Sequence, residues 1–259
     1  MTLIDSHCHL EYKGLVEDQQ GVLARARAAG IGGFLNISTK RSEWEQVVGT
    51  AEREPDVWAS VGIHPHEADA HADLGAAVLR GATEHPRVIG IGETGLDYYY
   101  DHSGRETQQA LFRMHIGVAR ETGLPVIVHT RDAEADTLAI LSDEMERGAF
   151  PALIHCFTAS AGFAQKVLEL GLMISLSGIV TFKNAQELQE IAKELPQERM
   201  LVETDSPFLA PAPHRGQTCE PAFTADTARF VAELRGEEFE ALADNTTRNF
   251  FSLFSKAAA

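Results

Sequence analysis

The chain has 259 residues, 44% of them hydrophobic, and a formal net charge of −16 at pH 7. A chain of this length buries one large core without a second domain, and so acidic a surface repels duplex DNA and anionic membranes, which excludes extended binding by phosphate neutralisation. Its three cysteines, Cys8, Cys156 and Cys219, are odd in number and widely spaced, which excludes a disulfide framework and a paired-cysteine zinc site.

Strand-like sequence begins within three residues of Met1, with no basic, apolar leader before it, and no apolar run is long enough to span a bilayer. A soluble, cytoplasmic protein with no membrane partner is therefore expected. The first strand, 3–9, carries His7 and His9. Residues i and i+2 of a strand point to one face, so both imidazoles can reach a single ion at about 2.0–2.1 Å. Cys8 between them, like Cys156 after His155, faces the other way and reads as a small buried apolar residue. A helical pattern over 17–29 leads to a strand at 33–39, and a helix over 43–53 to a strand at 57–64 that runs into Gly62-Ile63-His64-Pro65-His66. The strand at 88–94 ends on Glu93. Its Gly90-Ile91-Gly92-Glu93-Thr94-Gly95 run spells a dinucleotide glycine pattern, but it sets a carboxylate where pyrophosphate would lie and opens no helix. Helix 104–122 precedes the strand at 125–130 with His129, and helix 133–147 precedes the strand at 151–157 with His155. Helix 161–170, strand 172–178, helix 185–195 and strand 200–205, ending on Asp205, follow, and helices over 224–235 and 238–254 close the chain. His71, His85, His102 and His115 fall on helices or loops and read as surface or packing residues.

Eight strands alternating with helices predict a parallel sheet closed into a (β/α)8 TIM barrel, one domain spanning 1–259, with a doubly wound open sheet as the alternative. His7, His9, Glu93, His129, His155 and Asp205 all fall at carboxyl ends of the predicted strands. In a barrel those ends share one face, so the six converge on one cavity. Four imidazoles and two carboxylates suit zinc or another divalent ion, and a carboxylate can bridge two ions about 3.5–4 Å apart.

His-x-His on the first strand, Gly92-Glu93-Thr94-Gly95-Leu96-Asp97-Tyr98, His129-Thr130-Arg131-Asp132-Ala133, His155-Cys156-Phe157, and Glu203-Thr204-Asp205-Ser206-Pro207 with Pro213-His214-Arg215-Gly216 together resemble the TatD family of metal-dependent deoxyribonucleases, in the amidohydrolase superfamily. The likeness runs from residue 3 to about residue 254 in the family's order. It implies one metal held by His7, His9, Glu93 and Asp205, with Glu93 bridging to a second held by His129 and His155, the ions being Zn, Mg or Mn. Many sites of the superfamily bridge their metals with a carbamylated lysine. No lysine lies between Lys40 and Lys166, so Glu93 takes that place. Two departures from the family pattern, Ala159 after Thr158 and Cys219 before Glu220-Pro221, adjoin ligand motifs and bear on substrate preference.

Two divalent ions polarise a phosphoryl oxygen and acidify a bound water, and Asp205, as ligand and carboxylate, is the candidate general base beside Glu93. Arg131 and the His214-Arg215 pair follow strands five and eight, where forked guanidinium donors clamp phosphate; Arg131 could instead pair with Asp132 or Glu134. His64 faces either phosphate or the scaffold. The resulting expectation is a metal-dependent 3′→5′ exodeoxyribonuclease that binds a single-stranded DNA end locally. The alternative is a metal-dependent amide or ester hydrolase, such as a D-aminoacyl-tRNA deacylase.

Overall fold

Short runs rich in Val, Ile and Leu are buried on both faces, as strands of a parallel sheet covered by helices must be. The structure, a computed structural model, describes residues 3–258. Its strands are β1 (Leu3–Cys8), β2 (Ile31–Asn36), β3 (Val57–Val61), β4 (Val88–Asp97), β5 (Val126–Arg131), β6 (Ala152–Ile154), β7 (Met173–Leu176) and β8 (Met200–Val202). They form one parallel sheet in sequence order. A parallel bridge between Cys8 and Ser206, just past β8, brings the first strand to the last. The barrel predicted from the alternation is therefore the fold.

Around it lie α1 (Gln19–Ala28), α2 (Trp44–Arg53), α3 (Ala76–Thr83), α4 (Arg105–Thr122), α5 (Glu134–Arg147), α6 (Ala161–Glu169), α7 (Gln186–Glu194), α8 (Thr224–Arg235) and α9 (Phe239–Leu253). Helix α3 has no counterpart among the predicted elements. It is eight residues long and holds Gly81, which weakens the helical signal of a segment this short. In the barrel interior Ile4, Leu35, Ile89, Ile127, Leu153 and Leu201 pack together against Phe250 and Phe254, from α9 and the residue after it. Truncating a fully buried phenylalanine costs about 3–5 kcal/mol, so this contact seats α9 as the barrel's floor. Hydroxyls line the barrel above it: Ser6 Oγ donates to the Val202 carbonyl (3.0 Å), Ser38 Oγ to that of Ser60 (3.0 Å) and Ser60 Oγ to that of Gly92 (2.7 Å).

Strand β4 departs from its predicted end. It continues to Asp97, so Glu93 lies within the strand and not at its terminus. The cause is glycine. Gly95 pairs with His129 at φ +141°, and a Cβ there would strike the His129 carbonyl oxygen. Only a residue without a side chain lets β4 and β5 approach this closely. The register shift between Ile91 and Thr94 re-aims the intervening residues, as a bulge does.

His115 on α4 is fully buried. Its Nδ1–H donates to the Leu111 carbonyl (2.7 Å) and its Nε2 accepts from the Ile63 N–H (3.1 Å), tying α4 to the segment that carries His64. Burial pushes its pKa down to about 4. The unfolded chain, with a histidine near 6.5, therefore takes up the proton first, and stability present above pH 6.5 is lost as the pH falls towards 4. The full loss is about 3 kcal/mol. Unfolding free energies of the wild type and His115→Gln measured across that range should converge as the solution is acidified; parallel curves would contradict a neutral buried His115.

Candidate metal centre

Four ring or carboxylate atoms meet in one cluster, carried by β1 and the residue after it, by β4 and by the segment that follows β8. His7 Nε2 and His9 Nε2 are 3.2 Å apart. Asp205 Oδ1 lies 3.5 Å from the first and 3.4 Å from the second, and Glu93 Oε2 lies 3.4 and 3.8 Å from them. A tetrahedral site with bonds of about 2.0–2.2 Å has edges of about 3.3–3.6 Å, so the His7, His9 and Asp205 atoms are spaced to share one ion, with Glu93 Oε2 beside them. The backbone sets the spacing: the Asp205 N–H donates to the His7 carbonyl and the His9 N–H to that of Ser206, both at 2.9 Å. Asp205 adopts φ +59°, a conformation aspartate tolerates better than most residues, and this turns the chain off β8.

The other oxygen of Glu93 faces a second group. Glu93 Oε1 is 2.9 Å from His129 Nδ1, 2.7 Å from His155 Nε2 and 3.5 Å from His64 Nε2. His7, Glu93 and His155, and separately His64, Glu93 and His129, bring donor atoms close enough to share an ion.

The outward ring atoms decide which nitrogens offer lone pairs. His9 Nδ1 has the Ile37 carbonyl at 3.2 Å, a pure acceptor, so the proton sits there and Nε2 presents its lone pair inward. His155 Nδ1 faces Glu203 Oε1 at 3.3 Å and His129 Nε2 faces Asp97 Oδ2 at 3.2 Å, with the same result. An imidazole held by a carboxylate or carbonyl on its far nitrogen is how proteins orient metal-ligating histidine. His64 is the opposite case. Its Nδ1 accepts from the His66 N–H at 3.1 Å, so in the neutral ring Nε2 carries the proton and points a donor at the cluster.

The electrostatics agree. Burial favours the neutral form of Glu93, yet the surrounding imidazoles, His155 foremost, hold its carboxyl ionised, well below the usual range. Asp205 is likewise held down against burial by His9, His7 and His155. Burial lowers His155, but Glu93 and Glu203 push it well above the ordinary histidine value. Burial keeps His64 well below it, which preserves its neutral, donating form. Two buried atoms next to this network, His7 Nδ1 and Glu203 Oε2, lack a hydrogen-bond partner among the described residues. Four imidazoles around two ionised carboxylates are a ligand set that fits divalent ions, whose binding displaces the protons that the carboxylates otherwise hold on the rings.

All six residues expected to converge do so, and His64 joins them. Arg131 has no carboxylate partner among the described residues, neither Asp132 nor Glu134; its guanidinium lies over Tyr99 (4.0 Å) and Tyr100 (4.8 Å). His214 Nε2 is 3.1 Å from Asp226, with its ring stacked on Phe223, and Arg215 lies over Phe182 at 3.6 Å. Among the described residues neither makes a hydrogen bond, ion pair or ring contact with the cluster. Cys8 is buried as expected, but Cys156 is partly exposed: at φ +44° it leaves the strand geometry, and its Sγ sits 3.1 Å from Ser177 Oγ. Sequence reasoning assigned no role to Asp97 and Glu203. Glu203 precedes Asp205 by two residues, a spacing that could have pointed to a shared face.

Comparison with known proteins bears on this arrangement. The chain matches the family described as TatD related DNase over residues 4–255. It is 44% identical over 257 residues to YcfH of Escherichia coli strain K12, named an uncharacterized metal-dependent hydrolase, covering 98% of this chain and 96% of that one. It is 34% identical to a protein of Klebsiella pneumoniae strain 342 named 3′-5′ ssDNA/RNA exonuclease TatD, covering 97% of each. The crystal structure of YjjV, a TatD homolog from Escherichia coli K12, superposes with a TM-score of 0.91 at 29% identity and covers 98% of both chains.

Proposed function

Because this chain belongs to the TatD related DNase family and is a metal-dependent hydrolase, we propose that it is a 3′→5′ exonuclease on single-stranded DNA. His7, His9, Glu93 and Asp205 hold one divalent ion, and Glu93, His129 and His155 a second. The observation that carries this reading is the division of Glu93, whose Oε2 faces His7 and His9 while its Oε1 faces His129 and His155. When bound, such an ion pair polarises the scissile phosphoryl oxygen and brings the pKa of water towards neutrality.

The protein's own groups supply the rest. Asp205 is the more open carboxylate, its side chain 16% exposed against 4% for Glu93, so it can take a proton from the attacking water while Glu93 stays in place as a bridge. His64, neutral and donating from Nε2, supports a phosphoryl oxygen. Arg131, free of a carboxylate, is available to the phosphate beyond it. His214 and Arg215, held on Phe223 and Phe182, are assigned to the more distant strand.

Asp97 positions His129 from behind, and its carboxylate also meets His66 Nε2 at 2.9 Å. Asp97→Asn should weaken ion binding about 10- to 100-fold, the scale for an orienting partner, with affinity read by titration calorimetry; unchanged affinity would remove Asp97 from the site. The function itself is tested by incubating metal-loaded protein with single-stranded oligonucleotides and, separately, with D-aminoacyl-tRNA. Stepwise trimming from the 3′ end is the expected result. Intact oligonucleotides alongside hydrolysis of the aminoacyl ester would replace the reading with a carbonyl hydrolase.

A further inference from the structure

Few large apolar side chains stand exposed on this protein, and three that do lie on loops leaving the metal centre: Tyr99, Tyr100 and Phe208, at 56%, 49% and 50% exposure. Phe208 follows Asp205 by three residues, and its N–H donates to the Asp205 carbonyl at 3.0 Å. Its ring stands edge-on to Tyr12 and His9, with centroids 6.0 and 6.5 Å away. Behind this loop the N–H of buried Cys219, one of the two departures noted in the sequence, donates to the Pro207 carbonyl at 3.0 Å. Tyr99 and Tyr100 follow β4, and both their N–H groups donate to Asp97 Oδ1 at 3.0 Å, the carboxylate whose other oxygen meets His129. The guanidinium of Arg131 lies over both tyrosine rings.

We propose that these are two stacking platforms for unpaired nucleobases, Phe208 on the Asp205 side of the scissile phosphate and Tyr99-Tyr100 with Arg131 on the His129 side. The inference rests on the exonuclease reading and adds to it the source of substrate affinity. On a surface of charge −16 long-range attraction of a polyanion is absent, so grip on a strand end must come from contacts that need no net charge. Base stacking on an aromatic ring is such a contact: every base has a π-face, which makes it tolerant of sequence, and a guanidinium adds to it. Bases within a duplex are already stacked on one another and cannot reach either platform. Each loop is anchored through its backbone to a carboxylate residue of the centre, so a base seated on it is placed relative to the phosphate.

The test uses the full, metal-loaded protein with Phe208→Ala and the Tyr99→Ala/Tyr100→Ala double variant. Dissociation constants for a short single-stranded oligonucleotide with a non-hydrolysable 3′-terminal phosphorothioate linkage are read by fluorescence anisotropy, and KM and kcat are read on its cleavable counterpart. Each variant should raise Kd and KM about tenfold, within the range for loss of one stacked base. Removing the 3′-terminal base from the oligonucleotide should weaken binding to the wild type by a similar factor, but binding to the variant that lacks the matching platform by less than about twofold. Unchanged Kd in both variants, or equal penalties for the abasic strand in all three proteins, would overturn the platforms. Should the wild type bind but not cleave, the exonuclease reading fails while the Kd comparison still decides the platforms. Failure of the wild type to bind any single strand would overturn both.

Discussion

Glu93→Gln is expected to empty the centre of one or both ions and to reduce turnover by more than about 10²-fold, beyond the scale of losing an orienting partner. The reason is geometric. The carboxylate faces both halves of the cluster through separate oxygens, Oε2 at 3.4 Å from His7 on one side and Oε1 at 2.7 Å from His155 on the other. An amide keeps the shape but presents one oxygen and one NH2, so whichever half receives the NH2 meets a donor where a ligand was needed. It also removes the negative charge that offsets binding two dications in a buried site. Metal content per chain, measured beside the rate on a single-stranded oligonucleotide, checks this; two ions with normal turnover would sink the assignment of Glu93 as the bridge.

Asp205→Asn separates ligation from chemistry. His7, His9 and Glu93 remain for the first ion, and the amide oxygen can still face His9, so much of the metal should stay and the barrel should fold. What is lost is the proton acceptor at the open edge of the cluster, and the chemical step should fall by about 10²–10⁴-fold, the scale of a missing general base. Single-turnover rates isolate that step from substrate binding. Rates equal to the wild type would move the base to another residue.

The architecture was legible in the sequence because its signals were local. Buried β-rich runs at 3–9, 57–64, 125–130 and 200–205 each became a strand, and their alternation with helices specified the barrel. The six ligand candidates were legible because the barrel turns strand ends into one surface. What could not be read were features decided by distant partners. From the sequence the strand that begins at Ile31 is expected to begin two residues later; Gly33 within it is the gap in which Trp58 and Ile4 pack, with atoms 2.7 and 2.8 Å from where a Cβ would stand. The sequence puts Glu93 at a strand end because nothing local shows that Gly95 lets β4 run on beside β5. The role of Arg131 depends on two tyrosine rings more than thirty residues earlier, partners that its own segment does not show.

Anomalous diffraction from crystals of the metal-loaded protein tests the division of Glu93 most directly. Two separate peaks are predicted, one beside Oε2 among His7, His9 and Asp205 and the other beside Oε1 between His129 and His155. A single peak, or a pair in which His64 Nε2 replaces His155 as a ligand, would contradict it.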